Sequence, residues 1–213
     1  MAYKKPSQKF SGRILETTIG KDLKIGGESV LPFYSFDGDT GHKPAVGMEI
    51  WDVAPATWDE SLKEIYKDCA EDPVKWAKFV KEKFSPDFIC IRFEGANPDG
   101  ENKSPEECAE LAKRLAEEID IPLVIAGCEN NDKNAKIFTK IAEAIPEKRY
   151  VFLSAVEANY KEVGAAVGLA YGNIVSAESS VDLNLAKQLN ILITQLGVKP
   201  ENMVMNPGSA AVG

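Results

Sequence analysis

Six short apolar runs, each followed by a longer segment of helical hydrophobic period, constrain the fold of this chain more than any other feature. Successive runs lie 23 to 40 residues apart, which leaves room for one strand, one helix and two loops. The pattern predicts repeated βα units that build a parallel sheet covered by helices. The runs are Val46–Trp51, Phe88–Phe93, Leu123–Ala126, Tyr150–Val156, Asn173–Ala177 and Met203–Met205.

The segments between the runs carry helix-start signals that do not depend on hydrophobic period. Asp72 stands before Pro73, and Ser104 stands before a proline and three residues before Glu107. Both patterns combine an N-cap with proline at the first helical position. Further starts are predicted at Thr57 with Glu60, Asp132, Asn159 with Glu162, and Ser179 with Asp182.

Two architectures use consecutive βα units, an open doubly wound sheet and a TIM (β/α)8-type barrel. An open dinucleotide-binding sheet is expected to show a GxGxxG turn after an early strand, and the segment Gly95–Gly100 approaches that pattern without matching it. The sequence therefore favours an α/β barrel in which only about six of the eight βα units are present.

The first part of the chain has a different pattern. Arg13–Ile19 and Leu23–Ile25 have the composition of short strands and are separated by glycine. We expect residues 1–43 to form an N-terminal β-hairpin arm and residues 44–213 to form the partial barrel domain.

Charge and hydropathy exclude several classes of partner. The 213 residues include 25 Lys and Arg against 33 Asp and Glu, for a net charge of -8, and no basic block is present. Binding to nucleic acid or to an anionic membrane is therefore not expected. Because no apolar stretch approaches the roughly 20 residues of a membrane span, and the start lacks a signal-peptide core, we expect a cytoplasmic protein.

The cysteines and the single histidine do not form a recognisable metal or catalytic motif. The spacing of the cysteines matches neither a CxxC knuckle nor an iron–sulfur run, so we expect reduced thiols that pack as small apolar side chains. His42 lies in a loop rich in Gly and Asp and cannot build a histidine metal site alone. No catalytic residue and no metal ligand are predicted. The cysteines are Cys69, Cys90, Cys108 and Cys128.

The candidate site is the edge where the predicted strands end, because the functional face of a parallel barrel lies there. Its residues are acids and amides, which suit a polar, largely uncharged ligand rich in amides and suit phosphate poorly. Some of them have an alternative role as helix caps or turns, Asn159 among them. The candidates are Asp52, Glu94, Asn97, Glu129, Asn159, Glu178 and Asn206.

Several long strings carry a resemblance to a known family. They are Val46–Asp52, Phe93–Gly100 and Val181–Asn184 running into Lys187–Ile193, together with the arm segment from Gly26–Glu28 to Leu31–Phe33. In order and spacing they resemble the small subunit of the corrinoid iron–sulfur protein, also called the delta subunit of the acetyl-CoA decarbonylase/synthase complex. The resemblance extends over nearly the whole chain.

The resemblance implies a TIM barrel that forms a heterodimer with a larger subunit carrying a cobamide and a 4Fe-4S cluster. The pair would relay a methyl group in the Wood–Ljungdahl pathway, from methyl-tetrahydrofolate or methyl-tetrahydropterin through a separate methyltransferase to the nickel cluster of CO dehydrogenase/acetyl-CoA synthase. The chain would be a non-catalytic subunit with no iron–sulfur cluster of its own and with the corrinoid at the subunit interface. Barrel geometry alone assigns the corrinoid-facing role to the seven strand-end candidates.

The family pattern continues for about two more βα units, whereas this chain stops at Gly213 after the sixth predicted strand. Because an eight-stranded barrel does not close with six strands, we expect either a fragment of a longer gene or a sheet closed by something else. Two alternatives remain open. One is a pterin-binding barrel methyltransferase that acts directly on methyl-tetrahydrofolate, and the other is a truncated remnant that neither folds nor acts.

Overall fold

The computed structural model describes residues 12–31, 35–146 and 148–208. Pro32 and Phe33 of the arm segment and the polar start of the chain lie outside the described residues. The strands are β1 (Thr17–Ile19), β2 (Leu23–Ile25), β3 (Gly47–Trp51), β4 (Phe88–Arg92), β5 (Leu123–Ala126), β6 (Val151–Ala155), β7 (Ile174–Glu178) and β8 (Met203–Asn206). The helices are α1 (Glu60–Tyr66), α2 (Pro73–Phe84), α3 (Pro105–Glu118), α4 (Asn131–Ala144), α5 (Tyr160–Val163) and α6 (Leu183–Gln195).

Three shorter helical segments complete the described chain. A 3-10 turn, Glu94–Ala96, follows β4, and a second one, Pro200–Asn202, precedes β8. A π-helical segment, Gly164–Ala170, continues α5. All six predicted βα strands are present within one or two residues of their predicted ends.

The six long strands form one parallel sheet in the order β3-β4-β5-β6-β7-β8. Each strand pairs with the next one along the chain, so the order never reverses as it does in a doubly wound sheet. This singly wound order confirms the TIM-barrel type of α/β fold, with six βα strands in the described residues. The two edges of this sheet are β3 and β8.

Alternate residues of the strands enter two separate cores. On the outer face, Ile89, Leu123 and Val175 pack with the helices in the larger cluster. On the inner face, Cys90 and Val124 pack in a second cluster with other inward residues of the sheet. Because both faces are covered, the strands are apolar at consecutive positions, which explains the continuous runs in the sequence.

The predicted hairpin is present and lies across the amino ends of the strands. Ile19, at 4% exposure, belongs to the inner cluster. The backbone N–H of Gly20 donates to the carbonyl of Arg149, at 2.7 Å, and the Thr17 hydroxyl donates to the carbonyl of Glu201, also at 2.7 Å. Strand β1 is shorter than the predicted Arg13–Ile19 because β2 supplies only three pairing residues.

Ile19→Ala is expected to lower the free energy of unfolding by about 2 kcal/mol, because it removes buried methyl groups that join the hairpin to the inner core. Urea unfolding followed by far-UV circular dichroism measures the change. Ile14→Ala is the matched control, since Ile14 is 60% exposed and its truncation is expected to cost less than about 0.5 kcal/mol. Equal losses in the two variants would contradict the proposed anchoring.

The helix starts were predicted with mixed success. Asp72 accepts hydrogen bonds from the backbone of α2, and Ser104 forms a complete capping box with Glu107 at the start of α3. The predicted starts at Thr57, Asp132 and Ser179 were wrong in position, since the N-caps are Asp59, Asn130 and Asp182. In each case a different acid or amide accepts the first free backbone N–H groups, and spacing alone does not decide between neighbouring cap formers.

Candidate functional site

The parallel strands bring all seven predicted site residues to the carboxyl edge of the sheet. Glu178 and Asn206 end neighbouring strands and face each other as partners in register. Glu94 and Asn97 lie in the loop after β4, where the Asn97 amide donates to a Glu94 carboxylate oxygen at 3.2 Å. Glu129 lies after β5 and is exposed.

Two of the seven have buried side chains that bind loop residues of this chain. Asp52 is 6% exposed, and its carboxylate is bound by the backbone N–H of Gly95 and the ammonium of Lys103. Asn159 is 2% exposed, and its side-chain oxygen accepts from the backbone N–H of Val156 at 2.8 Å. Both side chains therefore hold loops in place, and the corrinoid-facing role remains a prediction for them.

The inner face at the end of β7 carries a carboxylate and two hydroxyl groups. The Ser154 hydroxyl donates to a carboxylate oxygen of Glu178, which fixes that carboxylate across the β6–β7 pair. Ser176 lies two residues before Glu178, is 1% exposed, and has a hydroxyl without a hydrogen-bond partner among the described residues. The wall formed by β6, β7 and β8 thus carries a carboxylate and hydroxyls.

An ion pair on the opposite wall was missed by the sequence analysis. The guanidinium of Arg92 binds Glu49 through two hydrogen bonds, Nε to Oε1 at 3.0 Å and Nη2 to Oε2 at 3.1 Å. The indole N–H of Trp51 donates to the same Oε1 at 2.8 Å. A signal was available, because Glu49 and Arg92 are charged residues inside strands that are otherwise apolar.

Opposing effects act on the pKa of Glu49. Burial disfavours its ionisation, but the hydrogen bonds from Arg92 and Trp51 outweigh burial and hold its pKa below the ordinary 4.5. The hydrogen bonds with Glu49 also raise the pKa of Arg92. The pair is therefore ionised at neutral pH and is neutral in sum.

Glu49→Gln is expected to lower the free energy of unfolding by about 1 kcal/mol at pH 7, a small value because both side chains are partly exposed. Because the folded pKa is depressed, the stabilisation is present above pH 4.5 and is lost as the pH falls through the folded pKa. Urea unfolding of wild type and variant at pH 7 and at about pH 3 measures this difference. The exposed pair Glu60–Lys63 supplies the control Glu60→Gln, for which we expect no change; a pH-independent loss in Glu49→Gln would contradict the assignment.

The thiols lie in environments that suppress their reactivity. All four cysteines are buried and unpaired. Burial raises the pKa of Cys90 and of Cys108 to about 12, and it also raises the pKa values of Cys69 and Cys128. At neutral pH these side chains stay protonated, and a protonated thiol is neither a nucleophile nor a metal ligand.

Across 12–31, 35–146 and 148–208, no group of three His, Cys, Asp or Glu side chains is arranged to hold a metal ion. Within the same ranges, no helix combines the length and the apolar composition of a membrane span.

The groups at this edge are donors and acceptors of hydrogen bonds. Carboxylates accept hydrogen bonds from N–H groups, and carboxamides and hydroxyls both donate and accept. Glu94 and Glu178 supply the first kind of group, while Asn97 and Asn206 supply the second. A ligand or surface that carries many neutral amides would find partners at each of them.

Comparison with known proteins relates this chain to a family. The acetyl-CoA decarbonylase/synthase complex subunit delta of Methanocaldococcus jannaschii is 32% identical over 218 residues, covering 98% of this chain and 53% of that protein. The corresponding subunit of Methanothermobacter thermautotrophicus is 28% identical over 213 residues, covering 98% of this chain and 54% of that protein. The chain thus spans about half the length of the curated relatives it matches.

A crystal structure of a Toxoplasma gondii protein described as a deoxyribose-phosphate aldolase overlaps with a TM-score of 0.42 at 13% identity, over 71% of this chain and 72% of that chain. This overlap is too weak to carry an argument about function.

The family model for the CO dehydrogenase/acetyl-CoA synthase delta subunit matches residues 16–213. The chain therefore belongs to the CO dehydrogenase/acetyl-CoA synthase delta subunit family.

Proposed function

We propose that this chain is the barrel part of a delta subunit that binds a larger subunit carrying a corrinoid and a 4Fe-4S cluster. In this proposal it covers the corrinoid while a methyl group passes from a methyltetrahydrofolate or methyl-tetrahydropterin methyltransferase to CO dehydrogenase/acetyl-CoA synthase. The chain is a non-catalytic subunit, and it acts in the cytoplasm as part of the Wood–Ljungdahl pathway.

The observation that carries the proposal is the family match over residues 16–213. The carboxyl edge of the barrel adds support, because a subunit that covers a cofactor needs a binding surface more than it needs a nucleophile or a base. Buried thiols with raised pKa values and an ion pair of zero net charge agree with such a role.

The donor set at this edge fits an amide-fringed ring. A corrinoid carries primary carboxamide side chains, which donate through N–H and accept through C=O. Glu94 and Glu178 would accept from such groups, and Asn206 would donate or accept. The unpartnered hydroxyl of Ser176 lies on the same inner wall. When bound in its own subunit, the corrinoid supplies the cobalt that carries the methyl group; the residues of this chain orient the ring and limit the access of water.

The test is anaerobic size-exclusion chromatography of this chain with the large corrinoid/4Fe-4S subunit purified from the same organism. We expect one peak that contains both chains and the corrinoid absorbance. Glu94→Lys with Glu178→Lys is expected to weaken the complex at least about tenfold, since it reverses two charges in the proposed interface. Asp22→Lys with Glu117→Lys reverses two charges at the amino end of the barrel and is expected to leave the complex intact.

Separate elution of a chain that unfolds in one sharp transition would overturn the proposal. Isothermal titration with methyl-tetrahydrofolate then distinguishes the remaining possibilities. Binding of that compound by the isolated chain would favour a pterin-binding methyltransferase. A broad unfolding transition without binding would favour a remnant that does not fold.

A further inference from the structure

The loop after β4 is held by a buried ion pair at its base. The Asp52 side chain is fully buried, while Lys103 is 27% exposed. The Lys103 ammonium donates to the backbone carbonyl of Asp52 at 2.9 Å. It also lies 3.3 Å from the side-chain oxygen Oδ2 of Asp52. The other carboxylate oxygen accepts from the backbone N–H of Gly95 at 2.8 Å. Asp52, Gly95 and Lys103 form a clamp that joins the end of β3 to both ends of the loop.

Gly95 is required by the clamp for a steric reason. A Cβ at this position would lie 2.7 Å from Asp52 Oδ2 and 2.9 Å from the Lys103 ammonium nitrogen. Real Cβ atoms do not approach other heavy atoms so closely, so any larger residue would force the clamp apart. The backbone N–H of Lys103 also donates to the Gly95 carbonyl at 2.9 Å, which closes the loop on itself.

The closed loop presents two of the candidate site residues. Glu94 directly precedes Gly95, and the Asn97 amide donates to the carboxylate of Glu94. The Asn97 carbonyl accepts from the backbone N–H groups of Gly100 and Asn102, at 2.9 and 3.2 Å. Movement at the clamp would therefore displace Glu94 and Asn97 together.

Stability alone does not account for a buried ion pair at this place. Taking two charges out of water costs free energy, and well-packed apolar residues of the same size are often as stable or more so. The pair holds the end of β3 and the loop after β4 in a fixed relative position. A fixed backbone matters most where side chains must meet a partner with a defined geometry.

We propose that Asp52, Lys103 and Gly95 are positioning residues that hold Glu94 and Asn97 in place for the corrinoid-bearing partner, an inference that rests on the function proposed above. In this proposal Asp52 acts through the loop, in place of the corrinoid contact that was predicted for it from the sequence.

Hydrogen–deuterium exchange of the free chain tests the clamp without the partner. Asp52→Asn is expected to raise amide exchange across residues 95–103 about tenfold, with no change in the remaining sheet. Lys78→Met is the matched control, because it breaks the ion pair between Lys78 and Glu118, at 2.5 Å, away from the loop. Unchanged exchange across 95–103 in the Asp52 variant would overturn the proposal.

A double-mutant cycle tests the positioning role in the complex. Asp52→Asn is expected to weaken binding of the purified corrinoid/4Fe-4S subunit about tenfold in the wild-type background and less than about twofold in a background with Glu94→Gln and Asn97→Ala. A general structural defect would reduce affinity equally in both backgrounds, and that result would overturn the positioning role. Gly95→Ala keeps both charges and is expected to weaken binding in the two backgrounds to the same extent as Asp52→Asn. If the unmodified chain does not bind the partner, the proposed function fails, and the exchange measurement still decides whether the clamp holds the loop.

Discussion

Phe138→Ala is expected to lower the free energy of unfolding by about 4 kcal/mol. Phe138 lies on α4, is fully buried, and packs edge-on against Phe152 of β6, with ring centroids 5.6 Å apart and an interplanar angle of 75°. The truncation leaves a cavity between helix and sheet and also removes an aromatic pair, which is worth about 1 kcal/mol beyond its buried area. Urea unfolding at 25 °C measures the loss.

Two control variants separate cavity formation from other effects. Phe138→Leu keeps most of the volume and is expected to cost about 1.5 kcal/mol. Phe84→Ala removes the same side chain from a position that is 46% exposed and is expected to cost less than about 1 kcal/mol. A loss below about 1 kcal/mol for Phe138→Ala would show that α4 does not pack on β6 as described.

Lys103→Met is expected to lower the free energy of unfolding by about 3 kcal/mol at pH 7, because it leaves the Asp52 carboxylate buried without its counter-ion. Burial already raises the pKa of Asp52 above 3.8, against the opposing effects of Gly95 and Lys103. Loss of Lys103 removes one of these opposing effects, so the pKa of Asp52 is expected to rise further in the variant.

The sign of the pH dependence follows from this raised pKa. A carboxyl group with a folded pKa above its unfolded value stabilises the fold most when protonated, and that contribution is lost as the pH rises through the folded pKa. The difference between wild type and Lys103→Met should therefore be smaller at about pH 4 than at pH 7. Urea unfolding at both pH values measures it.

The charge-neutral double variant is the decisive control. Asp52→Asn combined with Lys103→Met removes the unpaired charge and is expected to recover at least about half of the loss at pH 7. Lys78→Met, which breaks an exposed pair, is expected to cost less than about 0.5 kcal/mol. An equal loss for Lys103→Met at both pH values would contradict an unpaired Asp52 carboxylate as its cause.

Much of the candidate site was predictable as a location, but not as a set of free side chains. Placing Glu178 and Asn206 at one edge required only that the strands be parallel and consecutive. The burial of Asp52 required knowledge that Gly95 and Lys103 fold back onto it, 43 and 51 residues later. Helix starts showed the same limit, since Asp59 caps α1 where the sequence pattern favoured Thr57.

The βα repeat, the parallel sheet and the hairpin were all predictable from the sequence. Those features follow from hydrophobic period and strong local start signals, which act over a few residues. Which polar groups are available depends on tertiary contacts wherever the partner comes from a distant strand or loop, as it does for Asp52. Glu49 meets Arg92 across two strands, and Ser154 meets Glu178 across another pair. The register between strands sets those meetings, and register is a property of the assembled sheet.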